Sequence, residues 1–153
     1  MALFSKDNFS HLGLLVLRAG LGAQMAAFHG ADKMRQFSER VSSAPDPLGI
    51  GHRNSLILTV TAELFCAVLL VLGLASRLAA LALTFVMGVG LFLQQAPDPW
   101  RKKEMAAIYF AGFLTILFLG PGKISLDSFL PRLLRKGGGG PKASAARMAS
   151  AAR

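Results

Sequence analysis

Four stretches of this chain run for about 20 residues with almost no fixed charge, the length a helix needs to cross a hydrocarbon core about 30 Å thick. Leu12 to Ala31 is interrupted only by Arg18 and Ser55 to Ser76 only by Glu63. Leu78 to Pro97 and Met105 to Gly122 carry no charge at all. Backbone in lipid must satisfy its own hydrogen bonds, and these runs do not alternate as barrel strands do, so the pattern predicts four helices. Arg18, in the middle of the first run, argues for a retained span, because the apolar core of a cleaved leader is uncharged.

The connections are uneven. The second and third runs meet at Arg77, which predicts a tight antiparallel hairpin. The third and fourth are joined by Asp98, Pro99, Trp100, Arg101, Lys102 and Lys103. The long connection, Asp32 to Asn54, starts with Lys33, Met34, Phe37 and Val41 at helical spacing, a pattern for a short interfacial helix. It continues as a loop rich in proline and glycine, Ser42 to Gly51. After Gly120-Pro121-Gly122, apolar Ile124, Leu126, Phe129, Leu130, Leu133 and Leu134 alternate with charged positions, which predicts an amphipathic segment on the membrane. Gly137 then opens a tail expected to be disordered.

The predicted architecture is therefore an all-α membrane protein. It has an N-terminal segment over 1–11, a four-transmembrane-helix bundle with an interfacial loop between helices 1 and 2 and a C-terminal amphipathic segment over 12–136, and a basic tail over 137–153.

Composition agrees. Hydrophobic residues make up 53% and charged residues 16% of 153 residues, with a mean hydropathy of +0.49, against about 25% charge in soluble domains. The net charge of +9 does not point to nucleic acid, because the basic residues punctuate apolar runs instead of forming a surface. An even number of spans puts both termini on one side with nine Lys and Arg, against seven on the other. That bias predicts cytoplasmic termini in a multi-pass protein of the cell inner membrane.

Charges at membrane depth cost about 2.5–3.5 kcal/mol on insertion scales and default to pairs or sites. At 1.5 Å per residue, Glu63 lies roughly 12 Å below the surface that carries the long loop, with Gln24 near the same level. His29 and Lys33 end the first span on that side, Gln94 and Gln95 end the third, and Trp100 and Glu104 open the fourth. Glu63, Glu104 and His29 are thus the candidate proton-handling residues; Arg18, Gln24, Lys33, Gln95 and Trp100 are the candidate ligand-binding residues. Each has a plainer role beside this one: Lys33 reaching the headgroups, Glu104 as an acid at a helix N-terminus, His29 as a hydrogen-bonded interface residue. Arg18 is the expected counter-ion of Glu63, at the limit of both side chains unless the first helix starts early, near Asn8.

Several chemistries are not encoded. The single cysteine, Cys66, excludes CxxC exchange. His11 and His29 lie roughly 27 Å apart along one helix and cannot bracket a haem. No metal spacing, phosphate loop or nucleophile elbow occurs, and Gly88, Gly90 and Ala79 to Ala82 suit close helix contact.

Several short motifs occur in a fixed order. Arg18-Ala19-Gly20-Leu21-Gly22 is followed by His29-Gly30 and Lys33, then Asp46-Pro47-Leu48-Gly49. Glu63 precedes Leu72-Gly73-Leu74-Ala75-Ser76-Arg77. Asp98-Pro99 precedes Glu104, and Gly120-Pro121-Gly122-Lys123-Ile124-Ser125-Leu126-Asp127 closes the series. Together they resemble the DoxX family of small four-helix membrane proteins. Relatives often carry a histidine near the end of the third span, where this chain has Gln94 and Gln95, so any redox or metal role of that histidine does not carry over.

The resemblance implies the membrane subunit of a quinone-linked redox system. Some relatives look like the membrane subunit of a thiosulfate:quinone oxidoreductase, and others are linked to oxidative-stress complexes. On this reading the polar cluster holds a quinone, a cofactor-bearing partner protein supplies electrons, and homo-oligomers are compatible. The residues alone fit equally a non-catalytic membrane module that binds a lipid, a small ligand or a partner protein. A small transporter fits less well, because the third span is uncharged and no broken-helix pair occurs.

Overall fold

The structure, a computed structural model, describes residues 6–129. The expected tail over 137–153 and the outer part of the amphipathic segment lie outside these residues. All regular structure among the described residues is helical. The first long helix comprises Lys6–Gln24, a wider π-helical stretch Met25–Gly30 and Ala31–Arg35. The second joins His52–Val60, a π stretch Thr61–Cys66 and Ala67–Leu72. The third runs Ser76–Val89 and on through the π stretch Gly90–Gln94, and the fourth is Trp100–Leu119. A short helix, Phe37–Arg40, follows a break at Gln36.

Three of these are long and apolar enough to cross a membrane: Phe9–Arg35, His52–Leu72 and Ser76–Gln94. The fourth is held back from that standard by Arg101, Lys102, Lys103 and Glu104 in its first turns; its uncharged stretch starts only at Met105. The first helix begins earlier than the expected Leu12 and continues past Ala31, because the charges of Asp32, Lys33 and Arg35 leave the helical backbone unbroken.

The hairpin between the second and third helices breaks four residues before the expected Arg77. Gly73 is left-handed (φ 72°), its amide bonds to the carbonyl of Leu70, and the amide of Leu74 reaches back to that of Leu69. This is the six-to-one and five-to-two closure of a Schellman end. Ala75 (φ 48°) precedes the third helix and offers no capping oxygen. The cap comes from far along the chain: Asp127 accepts the Ala75 amide at 2.7 Å and the Ser76 amide at 2.8 Å, and its own amide donates to Gly73 at 2.9 Å. The segment after Gly120 therefore docks on this hairpin.

The core draws on all four helices, with Met25, Leu70, Leu83, Phe113 and Ile116 fully buried. Gly22, Ala26 and Gly30 recur every fourth position on the first helix, and the two glycines lie directly against backbone of the second, a small-residue seam that lets backbones approach. Outward, Phe28, Leu78 and Phe118 are each more than 70% exposed. An apolar exterior around a packed helical core, with this composition, is that of an integral membrane protein.

Candidate functional site

At the loop end of the bundle, the Lys33 ammonium lies 2.6 Å from both carboxylate oxygens of Glu63. The Glu63 side chain is 3% exposed and that of Lys33 26%, so the carboxylate is buried against the seam while the cation keeps a path to the polar face. Gly30 makes the meeting feasible. A Cβ there would fall 2.6 Å from the Glu63 carbonyl oxygen and 2.7 Å from the Leu64 nitrogen. The two helices cross at their backbones, one turn from the pair.

Three π-helical stretches converge at this level: Met25–Gly30 holds His29, Thr61–Cys66 holds Glu63, and Gly90–Gln94 ends the third helix. The Gln95 amide closes the last by bonding to the carbonyl of Gly90 at 2.9 Å. Such wide turns cost regular hydrogen bonding and recur at functional sites, where they re-aim side chains.

A cavity of about 500 Å³ opens here between the four helices, within the range of small-molecule sites. The first helix contributes Met25, His29 and Lys33, the second Leu56, Thr59 and Glu63, the third Phe85, Gln94 and Gln95, and the fourth Arg101, Met105 and Tyr109. The buried Tyr109 ring stacks on Phe113 at 5.8 Å and receives His29 edge-on at 5.6 Å. The Gln95 side-chain oxygen is buried without a hydrogen-bond partner among the described residues, an arrangement that costs energy.

The long connection roofs the cavity with Ala44, Pro45, Pro47, Leu48 and Ile50. Its shape is set by Asp46, which accepts the Ser55 hydroxyl at 2.6 Å, the Gly51 amide at 2.7 Å and the Ile50 amide at 3.0 Å. The Ser55 hydroxyl and then those amides hold the Asp46 carboxyl below its ordinary range. Ala44 packs with Leu56 and Val60 and accepts a hydrogen bond from the His52 ring. Arg40 is braced by Gln36 and Asp32.

Of the residues singled out from the sequence, His29, Lys33, Glu63 and Gln95 share the cavity. Gln24, Trp100 and Glu104 are exposed outside it. The expected Arg18–Glu63 pair does not form, although the first helix begins even before Asn8. Arg18 sits at the other end of the bundle, 2% exposed, donating to the carbonyls of Leu70 and Val71 at 2.9 Å each and to that of Ile124. It adds a second donor to the Leu70 carbonyl, which already accepts the Gly73 amide, and supplies one to the Val71 carbonyl at the helix end. Lys33 takes the role assigned to Arg18.

Sequence reasoning missed Tyr109, Arg40 and Arg101. Helical spacing could have found two of them, since Arg101, Met105 and Tyr109 recur every fourth position; Arg40 lies beyond the break at Gln36, where that spacing no longer carries from Lys33.

Among curated proteins and among solved structures, no match to the chain was found. The DoxX family model matches residues 13–96, which take in the first three helices and the roof loop, with His29, Lys33, Glu63 and Gln95. With more than half of its length matched, the chain belongs to the DoxX family.

Proposed function

We propose that this protein is the membrane subunit of a quinone-linked redox system, with a quinone headgroup held in the cavity between its four helices. In this reading the fourth helix also crosses the bilayer, the termini are cytoplasmic, and a cofactor-bearing partner protein delivers electrons. The observation that carries it is the cavity itself: apolar walls around a small set of polar groups, among them His29, Lys33, Glu63 and Gln95. The residues fit the group. A quinone supplies a two-electron, two-proton acceptor. For their part, Lys33 and His29 can donate to its oxygens, Phe85 offers a ring face, and Glu63 holds the ammonium in place.

Purified protein is expected to bind a short-chain quinone analogue and to lose that binding in Tyr109→Ala or Gln95→Leu. Absent binding, or binding unchanged in both variants, overturns the reading.

A second reading is favoured by one observation: both Glu63 oxygens are already engaged by Lys33. In a non-catalytic membrane module that pair serves helix assembly alone. A stable Glu63→Gln protein that loses redox turnover with its partner supports the first reading; the second predicts that Glu63→Gln harms expression or assembly and abolishes no turnover.

A further inference from the structure

The cavity carries more positive charge than its own carboxylate balances. Lys33, Arg40, Arg101 and Lys102 line it against Glu63 alone, and Lys33 is taken by Glu63. Arg40, Arg101 and Lys102 remain at the mouth. Arg40 shares Asp32 at 3.0 Å and Lys102 shares Asp98 at 3.4 Å, both largely exposed pairs of the kind worth about 0–1 kcal/mol. Arg101 makes no ion pair or hydrogen bond among the described residues. Two of the three cations stand in the first turn of the fourth helix, whose positive dipole end adds to their field.

Just beneath lies apolar surface. Leu58, Phe85 and Met105 line the same cavity and are 53%, 58% and 59% exposed. The second helix packs on the third through Thr61–Cys66 and Ala67–Leu72, and Leu58, nearer the loop, lines the cavity together with Phe85. A soluble anion would leave this apolar wall bare, and a neutral or zwitterionic ligand would leave the cations uncompensated.

We infer that the mouth binds the headgroup of an anionic phospholipid, with the phosphate among Arg40, Arg101 and Lys102 and the acyl chain leaving past Leu58 and Phe85. This rests on the cavity being a ligand site, and not on a quinone being the ligand held deeper.

The test is native mass spectrometry of the purified full chain in neutral detergent, with phosphatidylglycerol, phosphatidylcholine and inorganic phosphate. Phosphatidylglycerol is expected to be retained in preference to phosphatidylcholine. Arg101→Gln with Lys102→Gln should reduce that retention by roughly thirty-fold, whereas Arg53→Gln, a cation away from the cavity, should not. Arg101→Gln alone removes no side-chain ion pair or hydrogen bond among the described residues, so it reports on binding even if the double variant folds poorly, and Arg101→Lys should restore retention. Equal retention of the two lipids, an unchanged Arg101→Gln protein, or displacement of phosphatidylglycerol by millimolar phosphate would each overturn the proposal. Quinone-analogue binding is read on the same preparations. Its absence from the wild-type protein counts against the quinone reading and leaves the lipid selectivity to be decided by its own variants.

Discussion

Lys33 and Glu63, 30 positions apart, meet with the ammonium 2.6 Å from each carboxylate oxygen, where Gly30 of the first helix lies against the backbone of the second. The contact is unequal. Glu63 is nearly enclosed, while a quarter of Lys33 reaches the polar face.

Removing either partner should therefore have different costs. Lys33→Met strands a buried carboxylate, and breaking a buried pair in this way costs about 3–5 kcal/mol. Glu63→Gln leaves a cation that can swing outward, so its cost should be well under half of that. Thermal unfolding in detergent is expected to rank wild type, Glu63→Gln and Lys33→Met in falling order, with the double variant above Lys33→Met. Equal losses from the two single variants would contradict the asymmetry.

Gly30 should be the least replaceable glycine of the first helix. An added methyl meets the Glu63 carbonyl and Leu64 backbone, and neither can retreat without separating the helices. Gly30→Ala should cost about 1–3 kcal/mol, as overpacked sites do. Gly13 and Gly20 face open space, so Gly20→Ala should be neutral or gain up to about 1 kcal/mol from helix propensity. The comparison is of melting temperatures in one detergent.

The sequence made the helices and half of the site legible for one reason: charge is so rare in the apolar runs that each exception marks a level in the bundle. Counting 1.5 Å per residue put His29, Lys33, Glu63 and Gln95 at one face, and they share one cavity there. Counting depth says nothing about direction around the axis. Glu104 is five residues from Tyr109, a rotation of about 140°, which turns it outward, and Gln24 faces outward where the regular helix gives way to the π stretch Met25–Gly30. Arg18 was misassigned because its partners are backbone carbonyls, and a carbonyl leaves no mark in a sequence. The same holds for Asp127, whose partners are amides of a turn 50 residues upstream.

Asp127 gives the docked segment a pH dependence. Burial alone would raise its carboxyl, but the amides of Ser76 and Ala75 and the charge of Arg18 outweigh it and hold the group below its ordinary value. A carboxyl depressed in the folded state contributes stability that is fully present above its unfolded pKa of about 3.9 and is lost as pH falls through the folded value. Protection of residues 120–129 from proteolysis should be flat from neutral pH down to about pH 5 and decline below about pH 4. Asp127→Asn should be less protected at pH 7 and show little further decline on acidification. An equal decline in both proteins would remove Asp127 as the cause.

Arg18 supplies the clearest separation of architecture from chemistry. Its guanidinium ties the end of the second helix to Ile124 of the docked segment, at the far end of the bundle from the cavity. Arg18→Leu would take a donor from the Val71 and Ile124 carbonyls, while Leu70 keeps its Gly73 amide, at a cost of about 1–3 kcal/mol for each group left unpaired, and would release the 120–129 segment to protease. Arg18→Lys should recover little, because one ammonium cannot reproduce a planar fork that spans three carbonyls. Quinone-analogue and lipid binding, measured per folded molecule, should be unchanged in Arg18→Lys, because no wall of the cavity contains this residue. Loss of ligand binding from a folded Arg18→Lys protein would mean that the two ends of the bundle are coupled, and that the arginine acts on the site through the second helix.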